Sequence, residues 1–295
     1  MDFAPIVLFT YNRPDHTKRT LEALSLNKFA DKSILYIYCD GAKGNGDEAK
    51  VEEVKKIVAN QISFKEVIYE FSDVNRGLAN SVIKGVSTIV KKFGKVIVLE
   101  DDLVTSKNFL EFMNEALDFY QNEESIYSIS GYCQPIKFPA SYRKDVFLTK
   151  RAYSWGWATW EDRWEKNDWE VKDFNDFISN SSQKQRFAEG GADLPVMLKK
   201  QQLGLVDSWA IRWCFTQFRN GGYGLSPVHS FVENIGHDKS GTHSGNTNRY
   251  EVDLFVGKIK LSKDLVPNDE IIEALKKFHK LSLVRRIINY LKFGI

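Results

Sequence analysis

Four apolar residues, Val96-Ile97-Val98-Leu99, run straight into three carboxylates, Glu100-Asp101-Asp102. An unbroken apolar run of this length reads as a strand buried on both faces, as strands of parallel sheets are. The acids then fall at the carboxyl end of that strand, where open α/β sheets bind ligands. Adjacent negative charges repel, and a folded chain has little reason to gather three of them unless a cation is supplied. Strand alternation places Glu100 and Asp102 on one side and Asp101 on the other. A divalent ion held by one or two carboxylates plus substrate phosphates is the usual arrangement for a hard cation. The competing reading is an acidic loop facing water.

The surrounding pattern supplies a sheet for that strand to sit in. Apolar runs over 5–10, 33–39, 65–71 and 96–99 alternate with helical patterns over 14–26, 47–60, 78–93 and 106–120. Pro14 suits a helix start. Val51, Val54, Ile57 and Val58 share one face of the second helix, and Gly94 stops the third. Strand-helix alternation of this kind predicts an α/β fold, a mostly parallel sheet with helices on both faces. Asn12, Arg13, Asp40 and the acidic triplet should then meet along one rim. From 126 onward strands shorten (126–130 and 145–148), loops lengthen and aromatics cluster. No Pro-, Gly- or Ser-rich linker intervenes, so 1–265 reads as one domain and 266–295 as a basic, amphipathic helical tail.

Composition narrows the partners. The chain has 295 residues, 43% of them hydrophobic, enough for one large α/β domain. A net charge of +2 gives no electrostatic case for nucleic acid. Seven Trp and twelve Tyr suit either a sugar-handling surface or a core. Cys39, Cys133 and Cys214 show neither a disulfide framework nor zinc-ligand spacing, and Cys39 and Cys214 read as buried thiols. Neither a signal-peptide pattern nor a bilayer-spanning apolar run is evident, so a cytoplasmic location is expected.

Several segments together resemble the GT-A glycosyltransferases: "PIVLFTYNRP", "CDG", "NRGLANS", "VIVLEDDL", "SWGWATW", "DSWAIRW" and "NIG…THSG", across roughly residues 4 to 245. The likeness is to bacterial sugar transferases of the family-2 kind, and within them to the group related to the eukaryotic N-acetylglucosaminyltransferase I. A "GxxGxGTR"-type turn, expected of a sugar nucleotidyltransferase, is absent. The resemblance implies a nucleotide-sugar donor, with a UDP-sugar expected, a divalent cation (Mn²⁺ or Mg²⁺) and an acceptor hydroxyl. It places Asp102 on the metal and Glu100 and Asp101 on ribose or sugar hydroxyls. Thr10, Tyr11 and Arg13 would line the nucleobase and phosphate side, and Asp40 would accept from base or ribose. Asn75, Arg76 and Gly77 would close over the nucleotide. Ser154, Trp155 and Gly156 would face the donor sugar, while Trp157 and Trp160 pack in the core.

An inverting displacement needs a carboxylate opposite the leaving group to take the acceptor proton. Asp207, at the head of "DSWAIRW", is the residue the resemblance implies. It or Ser208 is also a suitable cap for the helix that follows. A late-loop histidine completes the metal site in many GT-A enzymes. His243 is the first choice and His237 the second, with a solvent-facing lid residue as the alternative. The tail over 269–295 reads as one basic amphipathic helix. Two placements are open to it: an anionic membrane surface, which would suit a lipid-linked acceptor, or the body of the domain. A nucleotidyltransferase and a non-catalytic carbohydrate-binding protein are the rival functions.

Overall fold

The computed structural model describes residues 2–44, 46–59, 63–238 and 247–294. Its first half follows the alternation: β1 (Ile6–Thr10), α1 (Pro14–Ser25), β2 (Ile34–Cys39), α2 (Glu48–Val58), β3 (Glu66–Phe71), α3 (Leu78–Phe93) and β4 (Lys95–Glu100). Next come β5 (Leu103–Thr105), α4 (Phe109–Tyr120), β6 (Ile126–Ser130), β7 (Val146–Thr149) and β8 (Trp157–Trp160). Short helices α5 (Glu161–Trp164), α6 (Phe174–Ser179), α7 (Ser181–Phe187) and α8 (Leu194–Gln202) lead to α9 (Trp209–Arg219). The chain continues through β9 (Tyr223–Pro227), β10 (Val232–Asn234), α10 (Asp269–Phe278) and α11 (Leu283–Phe293).

Eight strands form one mixed sheet in the order β3-β2-β1-β4-β8-β6-β9-β7. The β3-β2-β1-β4 half is parallel throughout, and β8 joins it antiparallel to β4. In the central strands β1 and β4 both faces are buried, and alternation divides them. Ile6, Leu8, Ile97 and Leu99 enter the core beneath α1, α2 and α4. Val7, Phe9, Val96 and Val98 enter the one shared with α3 and α9. That is why β4 reads as a continuous apolar run rather than an alternating one.

Two expectations need correction. The helix expected over 106–120 begins at Phe109, because Leu103–Thr105 is drawn off as β5 to pair antiparallel with Val232–Asn234. This two-stranded ribbon carries the segment after β10 back over the end of β4. The tail is two helices rather than one. Ser282 caps the second by accepting from the Arg285 amide at 3.2 Å. α10 buries Ile271 and Leu275 with Cys133 and Phe147, so it packs into the body. A continuing apolar periodicity hid the break, since capping geometry leaves little trace in the hydrophobic pattern.

Candidate active site

A cavity of about 820 Å³ opens at the carboxyl ends of β1, β2 and β4. It is lined by Thr10, Tyr11, Arg13, Asp40, Asn75, Arg76, Gly77, Glu100, Asp101, Asp102, Trp155 and Asp207. These residues come from six separate stretches of chain.

The acidic triplet forms its floor. The Tyr11 amide donates to Asp101 Oδ2 at 3.2 Å. Arg13 Nη1 lies 2.9 Å from Asp102 Oδ2 and 3.5 Å from Asp101 Oδ1. Bonds to backbone carbonyls hold the turn: the Thr20 hydroxyl donates to that of Asp101 at 2.8 Å, and the Ile235 amide to that of Asp102 at 2.9 Å. Burial would lower the Arg13 pKa, but Asp102 and Asp101 overcome it and hold the guanidinium above its ordinary value. That one cation does not balance the site. Burial, then the neighbouring carboxylates, push Glu100 well above the ordinary carboxylate range, and burial and Asp102 push Asp101 up as well. A bound dication would reverse both shifts.

The segment after β10 closes over this floor. A Cβ at Gly236 would collide with the Asp102 carboxylate as it now lies, so a larger residue would have to displace Asp102 and Arg13. The next residue, His237, also lines the cavity, its ring stacked on Tyr250 at 4.9 Å and edge-on to Trp155 at 5.4 Å. Both its ring nitrogens are buried without a hydrogen-bond partner among the described residues. Burial lowers its pKa against the pull of Asp102, favouring the neutral imidazole that binds metals. Carboxylates pushed upward beside an unsatisfied imidazole fit a divalent cation. Among the described residues no three metal-binding side chains converge on one point. A cation here would take one or two protein ligands and complete its shell from phosphates and water. His243 lies outside the described residues.

Other residues arrive at the cavity with different work. The Asp40 carboxylate, which lines the cavity, is engaged with backbone amides. Its oxygens accept from the amides of Arg76 at 2.9 and 3.0 Å and Gly77 at 2.9 Å, tying down the turn that opens α3. Asn75 Nδ2 donates to the Gly41 carbonyl at 2.8 Å in the same clamp. The Tyr11 hydroxyl donates to Asp47 at 2.8 Å and accepts from the Lys43 amide at 2.9 Å. Burial, with the bond to Asp47, pushes it up to about 12. Thr10 is buried and its hydroxyl donates to the Tyr38 carbonyl at 3.1 Å.

In the aromatic segment only Trp155 reaches the cavity; Ser154 and Gly156 do not line it. Gly156 has φ +58°, and a Cβ there would collide with Val232 and press on Phe109, so packing and backbone conformation both call for glycine. Trp157 and Trp160 are buried as expected. Trp157 stacks on Trp209 at 4.9 Å, and Trp164 packs on Trp213 at 5.1 Å, so most of the Trp content builds core.

Asp207 reaches the cavity from the start of α9, 57% exposed at the side chain, and pairs with Arg212 at 3.1 Å. The helix cap is Ser208, whose hydroxyl accepts from the Ile211 amide at 3.4 Å. The Asp207 carboxylate is therefore not engaged as a cap.

Sequence reasoning missed the far end of the cavity, formed by Tyr38, Glu70, Ser81 and Lys84. Tyr38 and Glu70 are register partners on β2 and β3. Leu78, Ser81 and Lys84 lie one turn apart along α3, a spacing that could have drawn attention to this face.

No family model matches the chain, and no curated protein sequence matches it. Solved structures do. A crystal structure of S. aureus TarS 1-349 is 13% identical, with a TM-score of 0.45 over 80% of this chain and 61% of that one. Mouse xyloside xylosyltransferase 1, in its apo form, is 13% identical, with a TM-score of 0.39 over 74% of this chain and 81% of that one. The mannosyltransferase PcManGT of Pyrobaculum calidifontis, in complex with GDP-Man and Mn²⁺, is 14% identical, with a TM-score of 0.36 over 55% of this chain and 48% of that one. The chain thus spans about three-fifths of the TarS fragment and half of the mannosyltransferase.

Proposed function

We propose that the chain is a metal-dependent, inverting glycosyltransferase that moves a sugar from a nucleotide sugar, with UDP-sugars the expected donors, to a hydroxyl of a glycan or lipid-linked acceptor. Assembly of bacterial surface polysaccharide is the setting this reading favours. The observation that carries it is the convergence of Asp207 with the acidic triplet on one cavity, although they are far apart in sequence. The nucleotide would lie along the turn held by Asp40 and Asn75, with its phosphates toward Arg13 and the triplet. Asp102 would hold the cation, with His237 as the additional ligand. Bound there, the cation would offset the negative charge that develops on the departing diphosphate. Asp207 would take the proton from the acceptor hydroxyl as its oxygen bonds to the anomeric carbon and the bond to the diphosphate breaks. Trp155 offers a flat apolar wall against which a sugar can rest.

A thermal-shift screen of nucleotide sugars with and without Mn²⁺ tests this reading. A true donor at about 100 times its dissociation constant stabilises the fold by about 2.7 kcal/mol. The shift should need Mn²⁺ and disappear in Asp102→Asn. Equal shifts in EDTA or in the variant would overturn the metal site. Release of pyrophosphate from a nucleoside triphosphate and a sugar phosphate would mark a nucleotidyltransferase. Sugar binding without any consumption of a donor would mark a carbohydrate-binding protein.

A further inference from the structure

Helix α11 is mounted with its apolar side outward. Leu283, Val284, Ile287, Tyr290 and Leu291 are 58–76% exposed, and Ile288 is 37% exposed. At 3.6 residues per turn these six fall on one continuous arc. The buried residue of this helix is polar: Asn289 is 2% exposed, on the opposite side. Phe293, near Asn289 on the wheel, is half-buried. Its carbonyl accepts from Lys199 of α8, and Lys200 lies over its ring at 5.0 Å. The helix therefore leans on α8 through its polar side, the reverse of what a core-packed amphipathic helix does. Arg285 and Lys292 border one edge of the apolar arc and Arg286 the other. From Ala274 to Gly294 the chain carries six Lys or Arg and no acid.

We infer that α11 seats the protein on an anionic lipid surface, its apolar arc entering the headgroup boundary and its flanking cations meeting lipid phosphates. A cationic border around an outward apolar stripe is the pattern of a helix lying in a membrane interface. A second copy of the chain is the weaker occupant, because its own α11 would bring the same positive charge into contact. No helix among the described residues is long and apolar enough to cross a membrane, so this contact lies on the surface. The inference does not depend on the glycosyltransferase reading.

The test is cosedimentation of the full chain with vesicles of phosphatidylglycerol and phosphatidylcholine, against phosphatidylcholine alone, at low and high salt. Binding should require the anionic lipid and fall at high salt. Arg285→Gln and Arg286→Gln should each weaken partitioning by about five-fold. Ile287→Glu and Leu291→Glu, at exposed positions, should abolish it with an unchanged melting temperature. Equal binding to both vesicle types, or none to either, would overturn the inference. So would a dimer in light scattering that Ile287→Glu converts to monomer.

Discussion

Asp207 and Ser208 are neighbours at the start of α9, and the structure divides two tasks between them. Ser208 accepts from the amide of Ile211, while Asp207 leans toward the cavity and Arg212. Stability and turnover should therefore separate by residue. Asp207→Asn should leave the melting temperature near wild type and lower kcat by ~10²-fold or more at little change in donor KM. Ser208→Ala should lower stability by about 1 kcal/mol with a much smaller effect on kcat. Melting curves and steady-state kinetics on the two variants decide the matter. A destabilised, fully active Asp207→Asn would return that residue to a structural role. The same scale explains Arg13, whose charge is held between Asp102 and Asp101 and offsets part of their mutual repulsion.

The turn leading into α3 is an element built by one distant side chain. Asp40, at the end of β2, supplies the acceptors for the amides of Arg76 and Gly77, which lie ahead of the helix and have no partner in its ladder. Asp40→Ala should cost about 1–2 kcal/mol and raise the donor KM as the 75–77 turn loosens. Asp40→Asn keeps one acceptor oxygen and should recover part of the loss. Denaturant melts and donor KM values check this. Unchanged stability with lost donor affinity would instead mean that Asp40 touches the nucleotide. The β5–β10 ribbon works in the same way. It brings Gly236 and His237 over Asp102 by pairing strands distant in sequence.

Across the molecule, Glu111 ties segments far apart in the chain. Its side chain is 3% exposed, and its carboxylate meets Lys28 at 2.5 Å, Lys258 at 2.9 Å and Asn108 at 2.8 Å. Burial would raise its pKa, but hydrogen bonds from Lys28, Lys258 and Asn108 outweigh burial and hold it down at about 2. A carboxyl with a depressed folded pKa adds stability above its unfolded value, near 4.3, and loses it as pH falls toward 2. Glu111→Gln should thus be less stable than wild type by on the order of 2 kcal/mol at pH 7. The gap should close as pH falls from about 4 to about 2. Melting temperatures of both proteins across that range check the sign. A gap that stays constant with pH would mean that Glu111 acts by packing alone.

Local pattern was enough to reveal the parallel half of the sheet. In β1, β2 and β4 burial on both faces leaves unbroken apolar runs, and α3 announces itself by its apolar period and by Gly94. The acid triplet was equally legible, because three adjacent carboxylates after a buried strand are a charge problem visible in one dimension. The rest depended on contacts that sequence does not order. Three-residue β5 exists only because β10 pairs with it. Asp40 shows its hold on the distant amides of Arg76 and Gly77 only in three dimensions, and the packing of Phe109 and Val232 beside Gly156 is equally invisible in one. The tail's amphipathic period was plain, yet the side that faces outward shows only in the packed chain, where Lys199 and Lys200 of α8 hold Phe293 and Asn289 is buried. Periodicity records which residues share a face. Only the packed chain decides what that face meets.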